Sequence, residues 1–122
     1  MRVLIVDDEQ MIRQLAERIL SRAGHETVSV STGREAIDTF GSAPDSFGAV
    51  ILDLTLDDMG GRECLEQLDA VRRAVPVIIS TGHPVSHEDF PDRFREQISI
   101  LLKPYKASEL VALISEVAGS SN

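Results

Sequence analysis

Val50–Ile51–Leu52–Asp53 is a short apolar run that ends in a carboxylate, and Thr55–Leu56–Asp57–Asp58–Met59–Gly60–Gly61 then turns the chain. A run of this length between turn signals predicts a strand buried on both faces, as in a parallel sheet covered by helices. Asp53 therefore stands where such a strand surfaces. The pattern recurs on either side: Val3–Leu4–Ile5–Val6 leads into Asp7 and Asp8, Val77–Ile78–Ile79–Ser80 into Thr81, and Ile98–Ser99–Ile100–Leu101–Leu102 into Lys103. Ligands of open α/β sheets bind outside the carboxyl ends of the strands. One site built from Asp7, Asp8, Asp53, Thr81 and Lys103 is the expectation.

The stretches between these runs have helical character. Ile12, Leu15, Ala16, Ile19, Leu20 and Ala23 recur at helical spacing up to Gly24, a helix C-terminus. Thr27–Val28–Ser29–Val30 alternates as a second strand, and Thr32–Gly33–Arg34–Glu35 has the form of a capping box ahead of inward-facing Ala36, Ile37 and Phe40. Pro44–Asp45–Ser46 marks a turn. Cys64, Leu65, Leu68 and Val71 trace a third helix, Pro76 opens the next strand, and Leu110, Leu113, Ile114 and Val117 define a last helix. From Gly82 to Gln97, Pro84 and Pro91 interrupt any continuous helix, which predicts a loop and a short or displaced helix around Pro91–Glu96 anchored by Phe90 and Phe94. The order is β-α repeated five times. With right-handed crossovers it predicts a three-layer α/β sandwich with a five-stranded parallel, flavodoxin-like sheet and an irregular fourth helix.

The 122 residues fit one domain, spanning 1–122, in which Gly119–Ser120–Ser121–Asn122 reads as a frayed end. A net charge of -8 argues against direct nucleic-acid or anionic-membrane binding. The single cysteine, Cys64, cannot form an internal disulfide and lies on an inward helix face, so a cytoplasmic setting and a core role are expected. His25, His83 and His87 show no ligand spacing and read as surface or loop residues; His83, two residues past Thr81, lies nearest the site.

Three carboxylates converging at one sheet edge repel one another, so either their pKa values rise or a cation neutralises them. A hard, oxygen-preferring ion such as Mg²⁺ fits, and no Cys/His cluster is present for zinc. Beside such an ion Asp53 can act as a nucleophile towards phosphorus, with Lys103 meeting the developing charge and Thr81 donating a hydroxyl hydrogen bond. Asp57 and Asp58 read as turn residues.

These elements, Val6–Asp7–Asp8–Glu9, Asp53 with Met59–Gly60–Gly61, Ser80–Thr81–Gly82 and Lys103–Pro104–Tyr105, resemble in order and spacing the receiver domains of two-component response regulators over essentially the whole chain. The resemblance implies that Asp53 is the phosphoacceptor, and that Asp8, Asp53 and the Thr55 carbonyl hold Mg²⁺ while Asp7 acts through bound water. It implies that Thr81 and Lys103 are switch residues and that the Lys103–Pro104 bond is cis; Lys103 is also expected to pair with Asp53 in the unphosphorylated state. The partners implied are a sensor histidine kinase or phosphotransfer domain and a downstream effector, and the domain is not an enzyme on a diffusible substrate. Three positions depart from the family: Asp57 replaces a usual Pro, Ile100 a frequent Tyr or Phe, and the prolines near the fourth helix are similar to receivers fused to hybrid sensor kinases. A phosphorylation-independent docking domain and an Asp-nucleophile phosphohydrolase are the competing readings; the second lacks an additional general acid or base and a cap domain.

Overall fold

The computed structural model describes residues 1–120. Five strands, β1 (Arg2–Val6), β2 (Glu26–Val30), β3 (Ala49–Asp53), β4 (Val77–Thr81) and β5 (Ile98–Leu102), form one sheet in the order β2-β1-β3-β4-β5, and every pairing is parallel. Four α-helices cover it: α1 (Gln10–Arg22), α2 (Gly33–Ser42), α3 (Gly61–Val71) and α4 (Ala107–Ser120). The three-layer flavodoxin-like architecture is the expected one. Every residue of β3 and β4 is buried, as continuous apolar runs covered on both faces require.

The pleat divides the core into two layers. Leu4, Val6, Val50, Leu52, Val77 and Ile79 pack towards α2 and α3, while Val3, Ile5, Ile51, Ile78 and Leu101 pack towards α1 and α4. Helix α1 ends as the sequence indicates: Gly24 takes φ +91°, and the His25 N–H closes back on the Leu20 carbonyl. Gly61 is needed for a different reason, since a Cβ there would lie 2.6 Å from the Leu54 Cα. That close approach seats the start of α3 against the turn that follows Asp53.

Several local expectations change. The buried stripe of α1 is Ala16, Ile19 and Leu20, whereas Leu15 is 41% exposed because it faces a groove beside α4 instead of the sheet. Ala23 and Val71 also stand at the surface. The capping box on α2 is half formed: Thr32 Oγ1 accepts from the Glu35 N–H, but the Glu35 carboxylate accepts from the Thr32 and Ser31 hydroxyls, not from the Thr32 backbone. The β-α alternation breaks once. Between β4 and β5 there is no α-helix, only short 3-10 turns at His87–Asp89 and Asp92–Phe94, with Phe90 and Phe94 buried as anchors. Helix α4 continues through Gly119 and Ser120, which contradicts the expected fraying there, and Ser121–Asn122 lie outside the described residues.

Candidate functional site

The carboxyl ends of β1 and β3 lie side by side, which brings one ligand oxygen each from Asp7, Asp8 and Asp53 within 4.8 Å of one another. Asp7 and Asp53 are 3% and 2% exposed, so two of the three carboxylates are almost out of water, and Asp8 is half-buried. Local backbone geometry fixes them. Asp7 Oδ1 accepts from the Glu9 N–H at 2.9 Å, and Asp53 Oδ1 accepts from the Thr55 N–H at 3.0 Å and hydroxyl at 3.1 Å. Each is an Asx turn that aims a carboxylate while the chain leaves the strand.

Lys103 enters from the far side. Its Nζ stands 3.5 Å from Asp53 Oδ2, the expected ion pair, and also donates to Asp7 Oδ2 at 2.8 Å, a nearer partner that the sequence does not indicate. Asp7 thus has a direct cationic partner in Lys103. Burial works against the lysine's charge, but the hydrogen bond to Asp7 and the charges of Asp7, Asp53 and Glu9 outweigh it and hold the ammonium above its ordinary range. For Asp8 desolvation comes first, then the charges of Asp57, Asp53 and Asp7, and all raise its carboxyl above the usual range. Asp57 therefore contributes negative potential to the pocket.

Thr81 is 1% exposed and, by strand alternation, stands on the opposite face of β4 from Asp53's face of β3. Its hydroxyl accepts from the His83 N–H and donates to the His83 carbonyl, both at 3.1 Å. It lines a cavity of about 250 Å³ with Thr55, Gly60, Gly61, His83 and Val85. The structure thus assembles Asp7, Asp8, Asp53 and Lys103 in one pocket, with Thr55 on its rim and Thr81 beside it. The Lys103–Pro104 peptide bond is cis.

Asp58 is not simply a turn residue. Its two carboxylate oxygens accept from the Gly33 and Arg34 N–H groups at 2.9 and 3.0 Å, and these bonds hold its carboxyl below the usual range. It caps α2 from another loop, a role that no local spacing signals. Cys64 is buried as expected, and burial, then Asp58 and Glu63, push its thiol up to about 12.

The donor set at the pocket is all oxygen and carries three carboxylates against one ammonium, which suits a hard divalent cation such as Mg²⁺. A family model described as the response regulator receiver domain matches residues 3–115. The chain is 30% identical to the sensory/regulatory protein RpfC of Xanthomonas campestris over 130 residues, covering 99% of this chain and 17% of that protein. It is 31% identical to the response regulator MprA of Mycolicibacterium vanbaalenii over 111 residues, covering 91% of this chain and 47% of that protein. The chain thus spans less than half the length of either of these curated relatives. A response regulator receiver domain protein from Clostridium thermocellum superposes with a TM-score of 0.87 at 26% identity, covering 98% of this chain and 95% of that one.

Proposed function

Because the chain belongs to the response regulator receiver domain family of two-component systems, we propose that residues 1–122 act as one receiver unit whose phosphoacceptor is Asp53. The observation that carries this reading is the convergence of buried Asp53 with Asp7 and Lys103, a carboxylate at a strand end held beside a second acid and a positive charge. A histidine kinase or phosphotransfer domain presents a phosphohistidine. The Asp53 carboxylate attacks phosphorus, the P–N bond breaks, and the imidazole nitrogen takes the electron pair and a proton. Lys103 offsets the charge on the transferring group.

Mg²⁺ would be held by Asp7, Asp8, Asp53 and the Thr55 carbonyl, and when bound it supplies neutralisation of the phosphoryl oxygens. Thr81 then donates its hydroxyl to a phosphoryl oxygen, which requires its present donation to the His83 carbonyl to break. The gain in charge at Asp53 biases the chain between two surfaces that differ in affinity for a downstream effector. The setting for this exchange is the cytoplasm, and the domain is a phosphoacceptor, not an enzyme on a diffusible substrate. Among the described residues no helix is long and apolar enough to cross a membrane.

Intact mass before and after incubation with acetyl phosphate and Mg²⁺ tests the assignment. One base-labile phosphoryl group should appear on the parent and none on Asp53→Asn. Full labelling of Asp53→Asn would place the acceptor elsewhere, and no labelling of a parent that binds Mg²⁺ and is offered a phosphorylated kinase would return the chain to a docking role.

A further inference from the structure

The pocket contains a row that is one residue longer than its charges. Asp7, Asp53 and Lys103 each stand two positions past a residue of the α1/α4 core layer, namely Ile5, Ile51 and Leu101, and Ser80 stands two positions past Ile78 of the same layer. Residues two apart on a strand share a face. Asp7, Asp53 and Ser80 therefore form one row across β1, β3 and β4, in which Ser80 is the register partner of Asp53; Leu101 continues the row on β5, and Lys103 stands on the same face two residues beyond it. Lys103, past the level of Thr81 at the end of β4, reaches across that end to Asp53 and Asp7.

Ser80 is 2% exposed, and its Oγ is the buried side-chain polar atom that lacks a hydrogen-bond partner among the described residues. A buried hydroxyl without a partner lowers stability, and an apolar residue of similar size would avoid that loss. The carboxylate of its register partner Asp53 lies on that face, and a serine hydroxyl reorients by rotation about one side-chain bond.

We propose that the Ser80 hydroxyl is a hydrogen-bond donor to Asp53 that shortens the life of its acyl phosphate. This rests on Asp53 being the phosphoacceptor. In hydrolysis, water attacks phosphorus, the bond between phosphorus and the Asp53 oxygen breaks, and the electron pair returns to the carboxylate. Orthophosphate leaves and the attacking water gives its proton to solvent. A carboxylate accepts a hydrogen bond more strongly than the carbonyl of an acyl phosphate. The Ser80 O–H therefore favours the transition state, in which the carboxylate is being restored, over the phosphorylated ground state.

The experiment labels the 122-residue chain with acetyl phosphate and Mg²⁺, removes the donor and follows loss of the phosphoryl mass. Ser80→Ala and Ser80→Val should lengthen the half-life about five-fold, the factor expected for one ordinary hydrogen bond. Ser80→Thr, the same shape as Val but with the hydroxyl kept, should return it to within about two-fold of the parent, the residue of a rescue to well under one hydrogen bond. A purely structural role would make Thr and Val behave alike. Equal half-lives in parent, Ala and Val, or a shorter one in Ala, would overturn the inference and leave Asp53 as acceptor. A parent that cannot be labelled by any donor would remove both.

Discussion

The acid pocket and the segment between β4 and β5 have opposite characters. The pocket is regular in sequence, with each acid following an apolar run, yet it is electrostatically strained, and the carboxyl of Asp8 is raised by burial and by its acidic neighbours. The segment from Gly82 to Gln97 is irregular in sequence and holds no α-helix, yet it is firmly attached. Phe90 and Phe94 are 2% and 1% exposed, with Arg62 and Arg93 over their rings. The Arg95 guanidinium donates to the carbonyls of His87, Glu88 and Phe90, and His87 Nε2 donates to the Ile98 carbonyl. Regular secondary structure therefore does not mark the settled part of this molecule. The functional end of the sheet holds the unfavourable charges, and an ordered loop with few repeating hydrogen bonds supplies core.

The largest expected effect tests that claim about the loop. Phe94→Ala should cost about 3–5 kcal/mol, the range for a truncated core aromatic, read as a lower urea midpoint at unchanged slope. A loss under about 1 kcal/mol would mean that the segment is a loose cover and the comparison fails. Next comes His87→Ala, which frees the Ile98 carbonyl on the edge strand and should cost about 1 kcal/mol in the same measurement.

The smallest effects separate two acids by sign. The folded-state pKa of Asp8 is raised, so its ionised form is disfavoured in the folded chain; the penalty is full above the raised value and gone below the ordinary 3.8. Asp8→Asn should therefore raise Tm at pH 7 without Mg²⁺, and the gain should shrink as pH falls through that window. The pKa of Asp58 is lowered, so its cap on α2 contributes above the ordinary 3.8 and is lost as pH falls through the depressed value. Asp58→Ala should lower Tm at pH 7 and converge with the parent in acid. Shifts of the same sign for both variants would refute the contrast between a strained acid and a capping one.

Much of the fold follows from local pattern. Apolar runs that end in turn residues give the strands, a 3.6-residue stripe gives α1, and two prolines exclude a regular helix between β4 and β5. The site was legible for the same reason, because charge at the end of an apolar strand is informative without knowing what lies opposite. Periodicity puts Leu15 on the apolar face of α1, yet it is 41% exposed, since periodicity reports a helix face but not whether the sheet or a neighbouring helix covers its flank. Ser80 passed as an ordinary strand residue, although its spacing from Ile78 matches that of Asp53 from Ile51.

The amino-acid order by itself determined the α/β class and the delivery of Asp7, Asp8, Asp53, Thr81 and Lys103 to strand ends, because these depend on neighbours a few residues apart. Only the tertiary structure decided which of those groups meet. Lys103 takes Asp7 as its nearer partner although 96 residues separate them, and Asp58 caps a helix that begins 25 residues earlier. Both outcomes depend on strand order and on the reach of side chains across the sheet edge, and neither quantity is written in the spacing of residues along the chain.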